Sequence, residues 1–243
     1  MKRFLSFFIS IIILLCTVST ICFGKNIDIN DATLDSNEEN KKVVYLTFDD
    51  GPGGKVTSEV LDILKKEDVK ATFFVVGELV EANPDIIKRM YEEGHSIGLH
   101  TYSHKKSIYN NEENFLAENL KTKVLIYDLT GYESTILRFP FGCNNSYYKL
   151  TDSMLNKLHE NNINIYDWNV DSTDGMNPKL EPYKIAAKAK SDKEMAMVLM
   201  HTGYANKNSA TALPLVIEYY KEHGYEFKTI THDTPELYKV KSK

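Results

Sequence analysis

Seven short runs rich in β-branched and aromatic residues punctuate the chain, at residues 43–47, 71–76, 96–99, 136–139, 163–168, 197–200 and 226–230. Near-continuous apolarity over four to six residues is the pattern of strands buried on both faces. Between most of them the apolar positions change to helical spacing: Val60 and Leu64, then Ile87, Met90 and Tyr91, then Leu116, Leu120, Val124 and Tyr127, then Leu213, Ile217 and Tyr220. The spacing predicts helices that turn those residues toward a core. Pro84 suits a first helical turn, and His223 before Gly224 suits a helix end. Strand and helix in alternation imply an α/β fold of parallel strands with crossover helices, either an open sheet or a barrel. No Gly-x-Gly-x-x-Gly turn or Walker-type lysine follows the first strand, so nothing supports a nucleotide site.

The first 42 residues break this pattern. Lys2 and Arg3 precede an uncharged apolar run over residues 4–23, the arrangement of an export signal. Residues 1–24 are read as a signal peptide, cleaved after Gly24, or as an N-terminal membrane anchor of about 20 residues. Leu15 and Ile21 are too large to precede a lipid-modified Cys16 or Cys22. Residues 25–42, rich in Asn, Asp, Glu and Lys, form a polar linker, residues 43–238 a single domain, and residues 239–243 a basic tail. The protein is therefore expected outside the cytoplasm, secreted or anchored at the cell surface.

The whole chain of 243 residues carries a formal charge of −5, which argues against a nucleic-acid partner, and no segment points to an obligate protein partner. Cys143 is the one thiol beyond the apolar run, so no disulfide can form inside the domain. A lone thiol of this kind reads as a small hydrophobe.

Polar residues collect where strands end, which is where parallel α/β folds place their chemistry. The first strand closes with Thr47-Phe48-Asp49-Asp50-Gly51-Pro52. Taken alone this is a turn, but two adjacent carboxylates repel unless a cation or a proton separates their roles. The third strand runs into His100-Thr101-Tyr102-Ser103-His104. Two imidazoles four residues apart, together with Asp50, make a three-ligand metal set of the open catalytic type. Further on come Arg138-Phe139-Pro140-Phe141, Trp168 through Asp171 to Asp174, and Leu199-Met200-His201. His95, His159, His223 and His232 lie apart from these groups and are read as structural.

In this order the five motifs resemble those of the polysaccharide deacetylase family, carbohydrate esterase family four. The resemblance implies a distorted (β/α) barrel of about seven parallel strands and hydrolysis of N-acetyl groups on a glycan built from N-acetylglucosamine. It also implies site roles: Asp50, His100 and His104 as ligands of a divalent ion, zinc first with cobalt, nickel, iron or manganese able to substitute; Asp49 as general base, oriented by Arg138; His201 as general acid, supported by Asp174 or Asp171; the Phe141 main chain as oxyanion donor; and Pro140, Phe141, Trp168 and Leu199 around the acyl group. Two departures stand out. Phe141 replaces the Tyr or Gly of many relatives, and Gly175 stands after Asp174 where many relatives carry Trp.

An exported chain of this kind meets its own cell wall first, so peptidoglycan is the expected substrate, with chitin oligomers, an exopolysaccharide or acetylated xylan as alternatives. Two other classes remain at this stage: a glycosidase, which needs only two carboxylates and leaves the histidines unused, and a catalytically silent wall-binding module.

Overall fold

The computed structural model describes residues 41–238. The export-type segment, the linker up to residue 40 and the tail at 239–243 lie outside the described residues, and among those described no helix is long and apolar enough to cross a membrane.

All seven expected strands form, several shorter than their apolar runs: β1 (Val43–Gly51), β2 (Thr72–Val75), β3 (Ser96–Leu99), β4 (Ile136–Leu137), β5 (Asn164–Ile165), β7 (Met195–His201) and β8 (Glu226–Phe227). An unforeseen two-residue strand, β6 (Val170–Asp171), lies between β5 and β7 in the chain. The order is β5-β4-β3-β2-β1-β7-β6, with β8 beside the start of β1, and every pairing is parallel. The sheet curls into a half-barrel whose two end strands do not pair. The open versus closed choice left by the periodicity thus falls to the distorted barrel, as one domain.

Strand alternation sorts the side chains. Even-numbered residues of β1, such as Val44, Leu46 and Phe48, join the outer core under the helices. Tyr45 of β1, Phe74 of β2, Ile136 of β4 and Met197 of β7 meet Tyr166 and Ile230 in a separate inner cluster. Two residues further along, the same faces carry Thr47, Arg138 and Leu199, and beyond these stand Asp49 and His201. The barrel interior is therefore apolar at its floor and polar at its mouth.

The outer layer contains α1 (Lys55–Lys66), α2 (Gly77–Ala82), α3 (Pro84–Glu92), α4 (Glu112–Thr130), α5 (Asp152–Glu160), α6 (Pro182–Ala189) and α7 (Lys207–Glu222). Pro84 opens α3, and His223 with Gly224 (φ 74°) closes α7, as their chemistry predicts. The predicted inner face of α4 holds in its first half, where Leu116 and Leu120 are partly buried against the core, and fails in its second. Phe115, Asn119, Thr122 and Ile126 are buried, whereas Val124 and Tyr127 are 57% and 56% exposed. The helix is rotated because it serves the loop after β3. Asn119 Oδ1 accepts the Thr101 N–H at 3.0 Å, and Glu118 accepts both the N–H and the hydroxyl of Ser103 at 2.9 Å. Each buried N–H left without an acceptor would cost about 1–3 kcal/mol, which favours a helix orientation that keeps Asn119 and Glu118 turned toward this loop. Tyr91, also predicted inward, is 45% exposed.

Candidate active site

Five of the seven non-glycine residues with positive φ lie at the strand ends: Asp50 (61°), Thr101 (63°), His104 (53°), Phe141 (66°) and Thr173 (61°). Each such conformation costs on the order of 1 kcal/mol or more and survives only where neighbours over-determine it. Their concentration at one end of the sheet marks where the fold spends stability on side-chain placement.

Asp49 and Asp50, adjacent in sequence, meet different surroundings. Asp49 is 3% exposed, and its Oδ1 accepts a hydrogen bond from Arg138 Nη1 at 2.9 Å. The guanidinium is fully buried and also donates to Thr47 Oγ1 (2.6 Å), the Tyr166 carbonyl (2.8 Å) and the Asp167 carbonyl (2.8 Å), with Cζ 4.3 Å from the centre of the Phe74 ring. Four of the five donors of the planar fork are engaged this way; an ammonium, with three, could not hold the same set. In the register of β1 and β7, Asp49 stands opposite His201.

Asp50 turns toward the two imidazoles, with Oδ1 3.4 Å from His100 Nε2 and 3.2 Å from His104 Nε2. His100 Nδ1 lies 2.7 Å from the Arg138 carbonyl. A carbonyl only accepts, so in the neutral ring Nδ1 carries the hydrogen and Nε2 is a lone pair aimed at the carboxylate. Asp50 Oδ1 is buried and has no hydrogen-bond partner. Three donor atoms within 4.8 Å of one another, all electron-rich and one of them orphaned, are consistent with a cation between them. Two nitrogens and one carboxylate oxygen suit zinc and its first-row neighbours.

Across the cavity, His201 Nδ1 is 2.7 Å from Asp174 Oδ1. Asp174 is fully buried, and its Oδ2 accepts the His201 N–H at 2.8 Å and the Ser209 hydroxyl at 2.6 Å. Burial works against the charged imidazole, but the bond and charge of Asp174, with Asp49 and Asp50 nearby, override it and push the pKa of His201 up to about 9. Burial likewise works against the Asp174 carboxylate, and its His201 and Ser209 bonds hold its pKa below the ordinary value. Of the two aspartates open from sequence, Asp174 is the one beside His201; Asp171 is exposed and accepts the Thr173 N–H at 2.7 Å.

Asp49, Asp50, His100, His104 and His201 line a cavity of about 570 Å³ together with Phe141, Trp168 and Leu199, with Arg138 and Asp174 buried behind them. Pro140 does not line it. That residue is buried behind the wall, where its carbonyl accepts the Tyr109 hydroxyl at 2.6 Å. Cys143 is also buried, and its thiol donates to Asp167 Oδ2 at 3.0 Å.

Several supports escaped sequence reading: Ser209 on Asp174, Glu118 and Asn119 under the His100–His104 loop, Asp167 under Cys143, and Asn145, Tyr147 and Met176 in the cavity wall. Only Asn119 left a signal, as a polar residue inside an otherwise apolar helical stretch.

The profile of the polysaccharide deacetylase family matches residues 36–165. The chain is 36% identical over 199 residues to a Bacillus cereus peptidoglycan-N-acetylglucosamine deacetylase, an alignment covering 79% of this chain and 70% of that protein. It is 38% identical over 194 residues to a Listeria monocytogenes protein described in the same terms, covering 79% of this chain but only 39% of the longer relative. A solved Bacillus cereus polysaccharide deacetylase superposes with a TM-score of 0.74 at 34% identity, covering 82% of this chain and 96% of that one. Fold and site thus define a hydrolase built on a curled parallel barrel. The chain belongs to the polysaccharide deacetylase family.

Proposed function

We propose that this protein is a metal-dependent hydrolase that removes N-acetyl groups from N-acetylglucosamine residues of peptidoglycan, with residues 43–238 as its catalytic unit, acting outside the cytoplasm. The observation that carries the chemistry is the division of labour between adjacent carboxylates: Asp49 is buried against Arg138, Asp50 faces two imidazoles, and His201, backed by the buried Asp174, lines the same cavity.

Asp50, His100 and His104 would hold a divalent ion, zinc by donor type, with cobalt, nickel, iron or manganese as substitutes. When bound, such an ion supplies Lewis-acid polarisation of a carbonyl oxygen and makes a water easier to deprotonate. Asp49 takes the proton of the attacking water. Arg138 aims that carboxylate, its Nη1 donating to Oδ1 at 2.9 Å. The Phe141 N–H donates to the oxyanion as the acetamide carbon becomes tetrahedral, a function of the main chain that the Phe side chain does not alter. His201 gives a proton to the glycan nitrogen as the C–N bond breaks, leaving acetate and a free amine. Asp174 holds the imidazole in the protonated, correctly turned form this requires. Trp168 and Leu199 offer an apolar slot for the acetyl methyl, worth about 1–3 kcal/mol of selection against larger acyl groups.

Peptidoglycan as substrate is supported by the names of the Bacillus cereus and Listeria monocytogenes relatives and by the export-type segment at residues 2–23. The test is acetate release from purified peptidoglycan, chitin oligomers and acetylxylan, before and after chelation and with zinc restored. Chelator-sensitive acetate from peptidoglycan alone is expected. Acetate from another glycan instead would reassign the substrate; new reducing ends without acetate would reassign the reaction to a glycosidase.

A further inference from the structure

Gly175 follows Asp174 on the loop between β6 and α6, and its φ is not in the left-handed region, so backbone freedom does not explain a glycine there. Space does. A Cβ at this position would fall 2.3 Å from His201 Cε1, 2.5 Å from Nε2 and 2.9 Å from Nδ1. All three are well inside van der Waals contact, so the imidazole lies flat against the main chain of residue 175.

The ring cannot simply step aside. Nδ1 is bonded to Asp174 Oδ1 at 2.7 Å, the His201 N–H is bonded to Asp174 Oδ2 at 2.8 Å, and Ser209 ties down that same oxygen at 2.6 Å. On the path this loop takes in a chain with glycine where many relatives carry Trp, a side chain at 175 would therefore either swing the imidazole off Asp174 or push back the loop that carries Asp174. Both movements open the same hydrogen bond.

We propose that Gly175 is a positioning residue for His201, its missing side chain providing the space in which the imidazole stays bonded to Asp174 with Nε2 facing the cavity. The kinetic consequence rests on the role given above to His201; the steric one does not. Gly175 is thus a working part of this site, and the neighbouring Met176, 90% exposed, is the first side chain available to close the cavity on that side.

The experiment is a double-variant cycle on the domain in the full chain: wild type, Gly175→Ala, His201→Ala and the pair. Gly175→Ala should lower kcat by about 100-fold or more, the scale of losing a general acid, while KM stays within about threefold. It should also lower the Tm and abolish the downfield imidazole N–H proton resonance of the His201–Asp174 bond, as Asp174→Asn does. In the His201→Ala background the added methyl should cost no Tm, because the ring it meets is gone. Equal Tm losses in both backgrounds, or a Gly175→Ala enzyme with wild-type kcat and an intact resonance, overturn the proposal. Should Gly175→Ala alone fail to fold, recovery of folding in the paired variant supports the proposal, and its failure there refutes it. A wild-type protein that releases no acetate from any glycan would count against the proposed function, while the Tm cycle would still decide the role of Gly175.

Discussion

Arg138 Nη1 lies 2.9 Å from Asp49 Oδ1 with the guanidinium fully buried and the carboxylate 3% exposed, so the two charges compensate each other away from water. Breaking such a pair strands a charge in the interior at a cost of about 3–5 kcal/mol. Arg138→Ala should accordingly lower the Tm by roughly 10 °C as well as abolish turnover. Arg138→Lys, which keeps the charge but not the four-bond fork, should recover part of the stability and little of the activity. Thermal unfolding and acetate release on the same samples separate the two effects.

Metal retention and turnover should come apart at the Asp49-Asp50 pair. Asp49→Asn is expected to keep the metal and lose turnover, because Asp49 is assigned to proton transfer. Asp50→Asn or His104→Ala should lose both, since each removes one of three donors. Metal content by elemental analysis beside acetate release checks this, and equal metal with near-normal turnover in Asp49→Asn and His104→Ala would sink the assignment.

The alkaline side of the rate profile should report His201. A general acid must be protonated, and this imidazole is raised to about 9, so activity should persist through neutrality and fall as pH rises toward that value. The same shift stabilises the fold below the ordinary histidine pKa of about 6.5, a contribution lost as pH climbs from there through 9. Asp174→Asn removes the largest upward influence and should move the alkaline limb down by more than about one pH unit. An unmoved limb would remove His201 from the role.

His95 should set an acid limit on stability. Its Nδ1 accepts the Ala71 N–H at 3.1 Å and its ring meets Phe73 edge-on at 5.3 Å. Burial first, then Lys70, depress its pKa to about 4. The unfolded chain binds a proton near 6.5 that the folded chain refuses, so stability falls as pH drops between these values, by roughly 2–3 kcal/mol at pH 4.5. Urea midpoints at pH 7 and pH 4.5 measure it, and His95→Gln, which keeps an acceptor and loses the titration, should flatten the difference.

How much of this was legible in the chain follows from the range of each interaction. The seven strands, the start of α3 at Pro84 and the end of α7 at Gly224 depend on periodicity and on one residue's own backbone preferences, and all of them appear where expected. The site motifs were equally readable, because Asp49 with Asp50 and His100 with His104 are each brought together by a few residues of local geometry. The exposure of Val124 and Tyr127 on α4 was not readable, since the helix also answers to a loop whose N–H groups need Asn119 and Glu118. Strand β6 was hidden because two residues pairing with β7 leave no period.

The sequence by itself determined the order of seven strands and of the four helices with clear spacing, the parallel α/β class, the family and the identity of the groups at the strand ends, all properties carried by short stretches of chain. The tertiary structure alone decided which charges are neighbours: that Arg138 spans 89 positions to reach Asp49, that Asp174 and not Asp171 meets His201, and that Gly175 lies beneath an imidazole. Burial, pKa and steric room depend on atoms distant in sequence, and only the curling of the sheet brings those atoms within a few ångströms.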